Sequence, residues 1–168
     1  RYTLMKILVT GGTGYIGSHT MVELLNDGYE VVCIDNFCNS KPDVLEKVKE
    51  ITGKEFKFYE GDVCDKVVLE QIFDENKIDA VIHFAGLKAV GESVAIPVKY
   101  YENNIGGTLN LIKVMQDFRC KKIVFSSSAT VYGDKNKAPY TEELELGATN
   151  PYGRTKLMIE EIFRDLYK

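Results

Sequence analysis

Gly11-Gly12-Thr13-Gly14-Tyr15-Ile16-Gly17 is the stretch on which the fold of this chain turns. It follows directly on Lys6–Thr10 (KILVT), a short continuous apolar run of the kind that forms a strand buried on both faces. Beyond it, Tyr15–Asp27 places Ile16, Met21, Leu24 and Leu25 on one helical stripe, and Gly28 supplies a stop. Glycines between a strand and a helix let the backbone turn tightly, approach a pyrophosphate and pack helix on strand. The free N–H groups and positive dipole end of the helix then favour phosphate. Gly11, Gly14 and Gly17 are therefore the first candidate cofactor residues.

The second apolar run, Glu30–Asp35 (EVVCID), ends in an acid about twenty residues after Gly14. A carboxylate there accepts hydrogen bonds from adenosine ribose hydroxyls and would repel a 2′-phosphate. Asn36-Phe37-Cys38-Asn39 brings no Arg or Lys to receive such a phosphate, and Lys41 is the nearest cation. NAD is therefore expected rather than NADP. Asp62-Val63, after a third run, is placed to meet the adenine edge.

The pattern repeats along the chain. Ser40-Lys41-Pro42 can start a helix, with Ser capping and Pro in the first turn, that runs to Gly53. Lys57–Tyr59 is a third strand. Asp65 can cap a helix carrying Val68, Leu69, Ile72 and Phe73, and Ala80–Phe84 is a fourth strand. A long helix from about Pro97 to Phe118 carries Tyr101, Ile105, Leu109 and Ile112 on one face. Lys122–Ser127 is a fifth strand, followed by a polar stretch with Gly133, Pro139 and Gly147 that reads as a functional loop. Asn150 before Pro151 caps a last helix reaching Lys168. Five strand-then-helix units imply an α/β fold with a doubly wound parallel sheet, the Rossmann arrangement.

Composition narrows the classes. With 168 residues, 45% hydrophobic and 27% charged, the chain suits one globular domain and not a disordered or collagen-like chain. No apolar run approaches the roughly 20 residues that span a bilayer. The net charge of −4 is mixed along the chain with no basic block, so neither nucleic acid nor membrane is an expected partner. Cys33, Cys38, Cys64 and Cys120 form no CxxC pair and have no nearby His, so no metal site is expected. Reduced thiols and no secretory leader point to the cytoplasm. His19 and His83 read as satisfied structural histidines.

Tyr152 and Lys156 lie four apart on the last helix, hence on one face. Such a pair is commonly a pair of surface neighbours. Here the helix follows the fifth strand, so its start falls near the carboxyl ends of the strands, where ligands bind in open α/β sheets. A free tyrosine loses its proton only near pH ~10. A neighbouring ammonium and a positive nicotinamide favour the phenolate, as a general base requires. Ser128, ending Ser126-Ser127-Ser128, can serve as a hydroxyl relay, and Lys88 can reach the cofactor from just past the fourth strand.

GGTGYIGSH, IDN, GDV, HFAGLKAVGES, the Asn103-Asn104 helix, SSSATVYG and Tyr152-x-x-x-Lys156 occur in this order. In combination, from Lys6 to the C-terminus, they resemble the UDP-glucose 4-epimerase family within the extended short-chain dehydrogenases/reductases. The resemblance implies NAD held by Tyr15, Ile16, Asp35, Asn36, Phe37, Cys38, Asn39, Ser40, Asp62, Val63, Phe84, Ala85, Gly86, Leu87, Lys88, Asn103, Ser126, Tyr152 and Lys156. It implies a UDP-sugar met by Lys88, Ser128 and Tyr152. Tyr152 would take the 4-OH proton, with Ser128 helping and Lys156 tuning the tyrosine and holding ribose. Hydride would pass from C4 of the sugar to NAD+, and the 4-keto sugar would rotate and take it back on the other face. UDP-galactose and UDP-glucose are then interconverted with no net redox change.

Relatives share the cradle and the Tyr/Lys pair, so other reactions of the family stay open at this point. Related 4,6-dehydratases resemble Ser128-Ala129-Thr130 but carry Thr-Asp-Glu there, and the sugar decarboxylases carry Ser-Glu at its last two places. Ala129 and Thr130 supply no such acid, which favours epimerisation. N-acetylated hexoses and pentoses remain open as sugars. Family members are roughly twice this length, so residues 5–168 are expected to be an NAD-binding domain without its substrate lobe. A non-catalytic dinucleotide-binding fragment is the competing reading. A homodimer through the helices from Pro97 and Asn150 is expected of the family. Arg1–Leu4 is expected to be an added remnant or the edge of a longer chain.

Overall fold

Lys6–Thr10, Glu30–Asp35, Lys57–Glu60, Ala80–His83 and Ile123–Phe125 form strands β1 to β5. They make one all-parallel sheet in the order β3-β2-β1-β4-β5. The computed structural model describes residues 4–167; Arg1–Thr3 and Lys168, where part of the expected remnant and the expected end of the last helix fall, lie outside them. The chain divides into two compact units. One runs to Ala85 and resumes over Asn110–Phe125; the other comprises Gly86–Leu109 and the chain from Ser126 onward.

The first unit holds the sheet. Successive residues of a strand point to opposite faces, and both faces here are apolar. Ile7, Val9, Val31 and Cys33 pack with Met21 and Leu25 of α1 (Tyr15–Asn26) and Val48 of α2 (Asp43–Thr52). Leu8, Val32, Ile34 and Val81 face the other way, against Leu69 and Ile72 of α3 (Lys66–Glu75) and against Leu111 and Met115. Each such side chain taken fully out of water contributes roughly 1.5–3 kcal/mol. Strands covered on both sides read as unbroken apolar runs, which is why the sequence showed them. Gly53 closes α2 in the left-handed region, and Asp65 caps α3 by accepting from Val67 N.

The sequence expectations miss in four places. Ile16 is half exposed and off the buried stripe, because Gly17 is the residue of that first turn that packs inward. Ser40 caps nothing: α2 starts after Pro42 without a side-chain cap, and the Ser40 hydroxyl pairs with that of Thr13. The fifth strand spans three residues rather than six. The long helix is broken into α5 (Pro97–Tyr100), a wide π-helical turn (Tyr101–Gly106) and α6 (Gly107–Asp117). Its buried face there is Tyr100, Asn104 and Thr108, one residue away from the apolar stripe, and Leu109 faces solvent.

The second unit is helical. Besides α5 and the π turn it contains α4 (Val90–Ala95), a 3-10 turn (Ala129–Tyr132) and α7 (Pro151–Leu166). Asn150 caps α7 as expected, its Oδ1 accepting from Gly153 N at 2.8 Å. Neither α4 nor the 3-10 turn was anticipated from the sequence.

Candidate functional site

The glycine turn is built so closely that side chains cannot enter it. Gly11 adopts φ +70, and a Cβ there would lie 2.8 Å from Ala85 N. A Cβ on Gly17 would lie 2.2 Å from the Gly11 carbonyl oxygen. Gly12 is confined by sulfur, with Cys33 Sγ and Met21 Sδ 2.5 and 2.6 Å from where its Cβ would stand. At Gly14, by contrast, only the Gly11 oxygen comes near, at 3.4 Å. The turn therefore presents bare backbone at the start of α1, and no side chain caps that end. Tyr15 and Ile16 stand exposed on the first turn.

Beside the turn, both Asp35 oxygens are engaged by backbone. Oδ2 accepts from Thr13 N at 3.1 Å and Oδ1 from Phe37 N at 2.9 Å. The carboxylate is thereby held against the glycine turn with lone pairs to spare. Phe37 takes a left-handed φ of 57 and packs on Phe58, ring centroids 5.2 Å apart. Asn36 Nδ2 donates to Asp62 Oδ2 at 3.0 Å, while Asp62 Oδ1 accepts from Cys64 N and Asn36 Oδ1 from Cys38 N. This network joins the loops after β2 and β3. Cys38 and Asn39 are exposed, whereas Val63 has its side chain in the core and offers only backbone. Phe84 packs against the core, and Ala85 N donates to Thr10 Oγ1 at 3.1 Å.

In the second unit, Tyr152 and Lys156 are both buried, one turn apart on α7. Lys156 Nζ donates to the Ser126 carbonyl at 2.9 Å and lies 6.0 Å from the centre of the Tyr152 ring. Tyr152 N donates to Ser93 Oγ at 3.1 Å, which ties the start of α7 to α4. Ser128 Oγ accepts twice, from Thr130 N at 3.2 Å and Thr130 Oγ1 at 2.9 Å. Its remaining capacity is the donation of its own proton. Gly86 sits close to Lys156: a Cβ there would lie 3.9 Å from Nζ.

Asn104, Ser93 and Thr155 are the residues that sequence reasoning passed over. Asn104 Oδ1 accepts from Leu87 N at 2.8 Å and from the neighbouring Asn103 Nδ2 at 3.0 Å. Its Nδ2 donates to the Leu87 carbonyl and to Thr155 Oγ1. One buried amide thus holds the loop that carries Gly86, Leu87 and Lys88 and also the turn between Tyr152 and Lys156.

The family model described as the NAD dependent epimerase/dehydratase family matches residues 7–168. The chain belongs to that family. It is 64% identical over 163 residues to the UDP-glucose 4-epimerase of Bacillus subtilis, covering 97% of this chain and 48% of that protein. To the UDP-glucose 4-epimerase of Haemophilus influenzae it is 63% identical, covering 98% of this chain and 49% of that protein. The crystal structure of UDP-glucose 4-epimerase from Bifidobacterium longum in complex with NAD+ and UDP superposes with a TM-score of 0.95. It is 57% identical and covers 97% of this chain and 49% of that one. The chain spans about half the length of the curated relatives it matches.

For a member of the epimerase/dehydratase family, the cradle passes a test of fit. The walls that exclude a Cβ at Gly11 and Gly17 leave Gly14 open, and Asp35 is aligned by backbone donors. Among the described residues no group of three or more His, Cys, Asp and Glu is gathered, and no helix is long and apolar enough to cross a membrane.

Lys156 carries an electrostatic cost. Burial first, and the Lys88 ammonium second, lower its pKa from 10.5 to about 8. The shift disfavours the charged form in the folded state. The cost is therefore fully present below pH 8 and fades as pH rises toward 10.5. Its size is about 3 kcal/mol, less about 1 for the bond to Ser126. Lys156→Met is thus expected to raise the thermal midpoint of the ligand-free chain at pH 7. The advantage over the parent should narrow between pH 8 and 10.5, which melting curves across that range would check.

Proposed function

We propose that this chain is the cofactor-binding part of an enzyme that inverts C4 of a UDP-hexose, interconverting UDP-galactose and UDP-glucose. The observation that carries the reading is Tyr152 and Lys156 buried together on α7, with Lys156 anchored to the Ser126 carbonyl. NAD, when bound, supplies the acceptor and return source of the C4 hydride, by way of a 4-keto sugar. Gly11, Gly14, Tyr15, Ile16 and Gly17 would take its pyrophosphate at the α1 N-terminus. Asp35 would accept from the ribose hydroxyls, with Asn36–Ser40 around it, and Asp62 and Val63 would border the adenine. Phe84–Lys88, Asn103 and Ser126 would line the remainder.

Tyr152 would draw the proton from the 4-hydroxyl and give it back after hydride return. Ser128, its oxygen already accepting twice, would donate to the same sugar oxygen. Lys156 would hold ribose and set its charge 6.0 Å from the centre of the Tyr152 ring. Lys88 adds a second cation, suited to an anionic substrate. Residues 5–168 would form the NAD-binding domain, and the half that the relatives carry in addition would supply the substrate lobe. Homodimer formation is supported by exposed Leu109 on α6 and Met158 and Leu166 on α7. A cytoplasmic site is supported by Cys33, Cys38, Cys64 and Cys120 forming no disulfide, and the absence of a nucleic-acid partner by the net charge of −4.

The test uses this chain together with the second half that its relatives carry, supplied with UDP-galactose. Formation of UDP-glucose with NAD, not with NADP, and with no net accumulation of NADH is expected. If cofactor is retained and no sugar nucleotide is turned over, the domain binds dinucleotide without this chemistry, and the reading fails.

A further inference from the structure

Tyr152, Lys156 and Glu160 recur at four-residue spacing and so share one face of α7. Tyr152 and Lys156 belong to the chemistry proposed above. Glu160 does not touch it, yet it is well placed to govern it. Its Oε1 accepts a hydrogen bond from Ser127 Oγ, and its Oε2 receives Arg164 Nη2 at 3.3 Å. The Glu160 side chain is 22% exposed against 62% for Arg164, so the serine side of the carboxylate is the sheltered one.

We propose that Glu160 is a positioning residue that sets the register of α7 against Ser126–Ser128 through Ser127. The inference rests on the reading of Tyr152, Lys156 and Ser128 given above. Lys156 alone fixes the serine segment at one point, the Ser126 carbonyl. A segment that meets α7 at one point can pivot about it, carrying Ser128 toward or away from Tyr152. Glu160 grips the next residue from the next helical turn, and two grips on consecutive residues remove that freedom. A hydroxyl–carboxylate bond is also stronger than a neutral pair, so the second grip is not easily exchanged for water. Ser128 is then presented in a set orientation, with Thr130 holding its oxygen from the other side. Displacing a reacting group by about 1 Å can cost on the order of a hundredfold in rate. A pivot restrained by Lys156, by Thr130 and by Val131 N on the Ser128 carbonyl should cost about tenfold.

The experiment compares Ser127→Ala, Glu160→Ala, the double variant and Glu160→Gln, each in the chain joined to the relatives' second half. The expected result is a fall of about tenfold in kcat for both single variants, with KM for UDP-galactose and bound NAD within twofold of the parent. The double variant should be no slower than either single one, because both remove one contact. Glu160→Gln should keep kcat within about threefold, since its amide oxygen still accepts from Ser127. Unchanged kcat in Glu160→Ala overturns the proposal. So do losses that multiply in the double variant, or losses that track bound NAD or the thermal midpoint. Tyr152→Phe is run alongside. If it keeps activity, the reading of the site falls and this inference with it. If it is inactive while Glu160→Ala is not, only the role of Glu160 falls.

Discussion

In the chain joined to its relatives' second half, Tyr152→Phe should lower the proposed epimerisation roughly 100- to 10,000-fold, the range for removing a positioned acid or base. The substitution takes away one oxygen and leaves the ring. Tyr152 is held by its backbone, N–H to Ser93 and carbonyl to Thr155, so the start of α7 does not depend on the phenol. Lys156 keeps its bond to the Ser126 carbonyl. Bound NAD should therefore stay near the parent level, and kcat should carry the loss. Rate and cofactor content measured on the same preparation check this. A variant that loses both in proportion would show that Tyr152 holds the cofactor and does not act on the sugar.

Gly17→Ala should have the second large effect, and on a different quantity. Its Cβ would stand 2.2 Å from the Gly11 oxygen and 2.9 Å from the Gly12 Cα. Both are backbone, so no side chain can swing aside. Either α1 moves away from the turn or the turn opens, and overpacking of this kind costs typically 1–3 kcal/mol or more. Since Gly14 N also bonds the Gly11 oxygen at 3.2 Å, the displacement reaches Gly14, the open residue proposed to meet phosphate. NAD affinity should fall by more than a hundredfold, and the thermal midpoint by several degrees. Titration of the purified variant with NAD, beside its melting curve, checks both. Unaltered affinity in Gly17→Ala would mean that the dinucleotide does not lie on this turn.

Much of this was legible in the chain. Leu8 and Val32 face one layer and Ile7 and Val31 the other, so β1 and β2 had to be apolar throughout and could be read as such. The glycines at 11 and 17 were readable because only backbone fits there, and Gly14 by its spacing between them. Tyr152 and Lys156 were readable from spacing and from their place after β5. What could not be read was burial of polar groups. Asn104 and Thr108 lie inside because Leu87, Thr155 and the Asn104 carbonyl satisfy them, and periodicity of apolar residues has no means of seeing a satisfied amide. The apolar stripe at Tyr101, Ile105 and Leu109 therefore pointed one residue astray. Ser40 misled for a related reason: its hydroxyl is taken by Thr13, not by a helix end.

The strand order has a consequence for how the chain reaches its native state. β1 lies between β2 and β4, and Lys6 N meets Asp79 Oδ2 across 73 residues of sequence. Its neighbour β2 is made almost at once, but the partner for its other edge comes only after α3 has been synthesised. At about 5–20 residues per second, that edge waits several seconds on the ribosome. The buried Thr10–His83 contact, 2.6 Å and 73 residues apart, closes the same gap. Folding of the sheet is thus governed by a late, long-range closure, which is entropically slow. An emerging chain stopped before Ala80 would expose an apolar strand edge open to pairing with another chain.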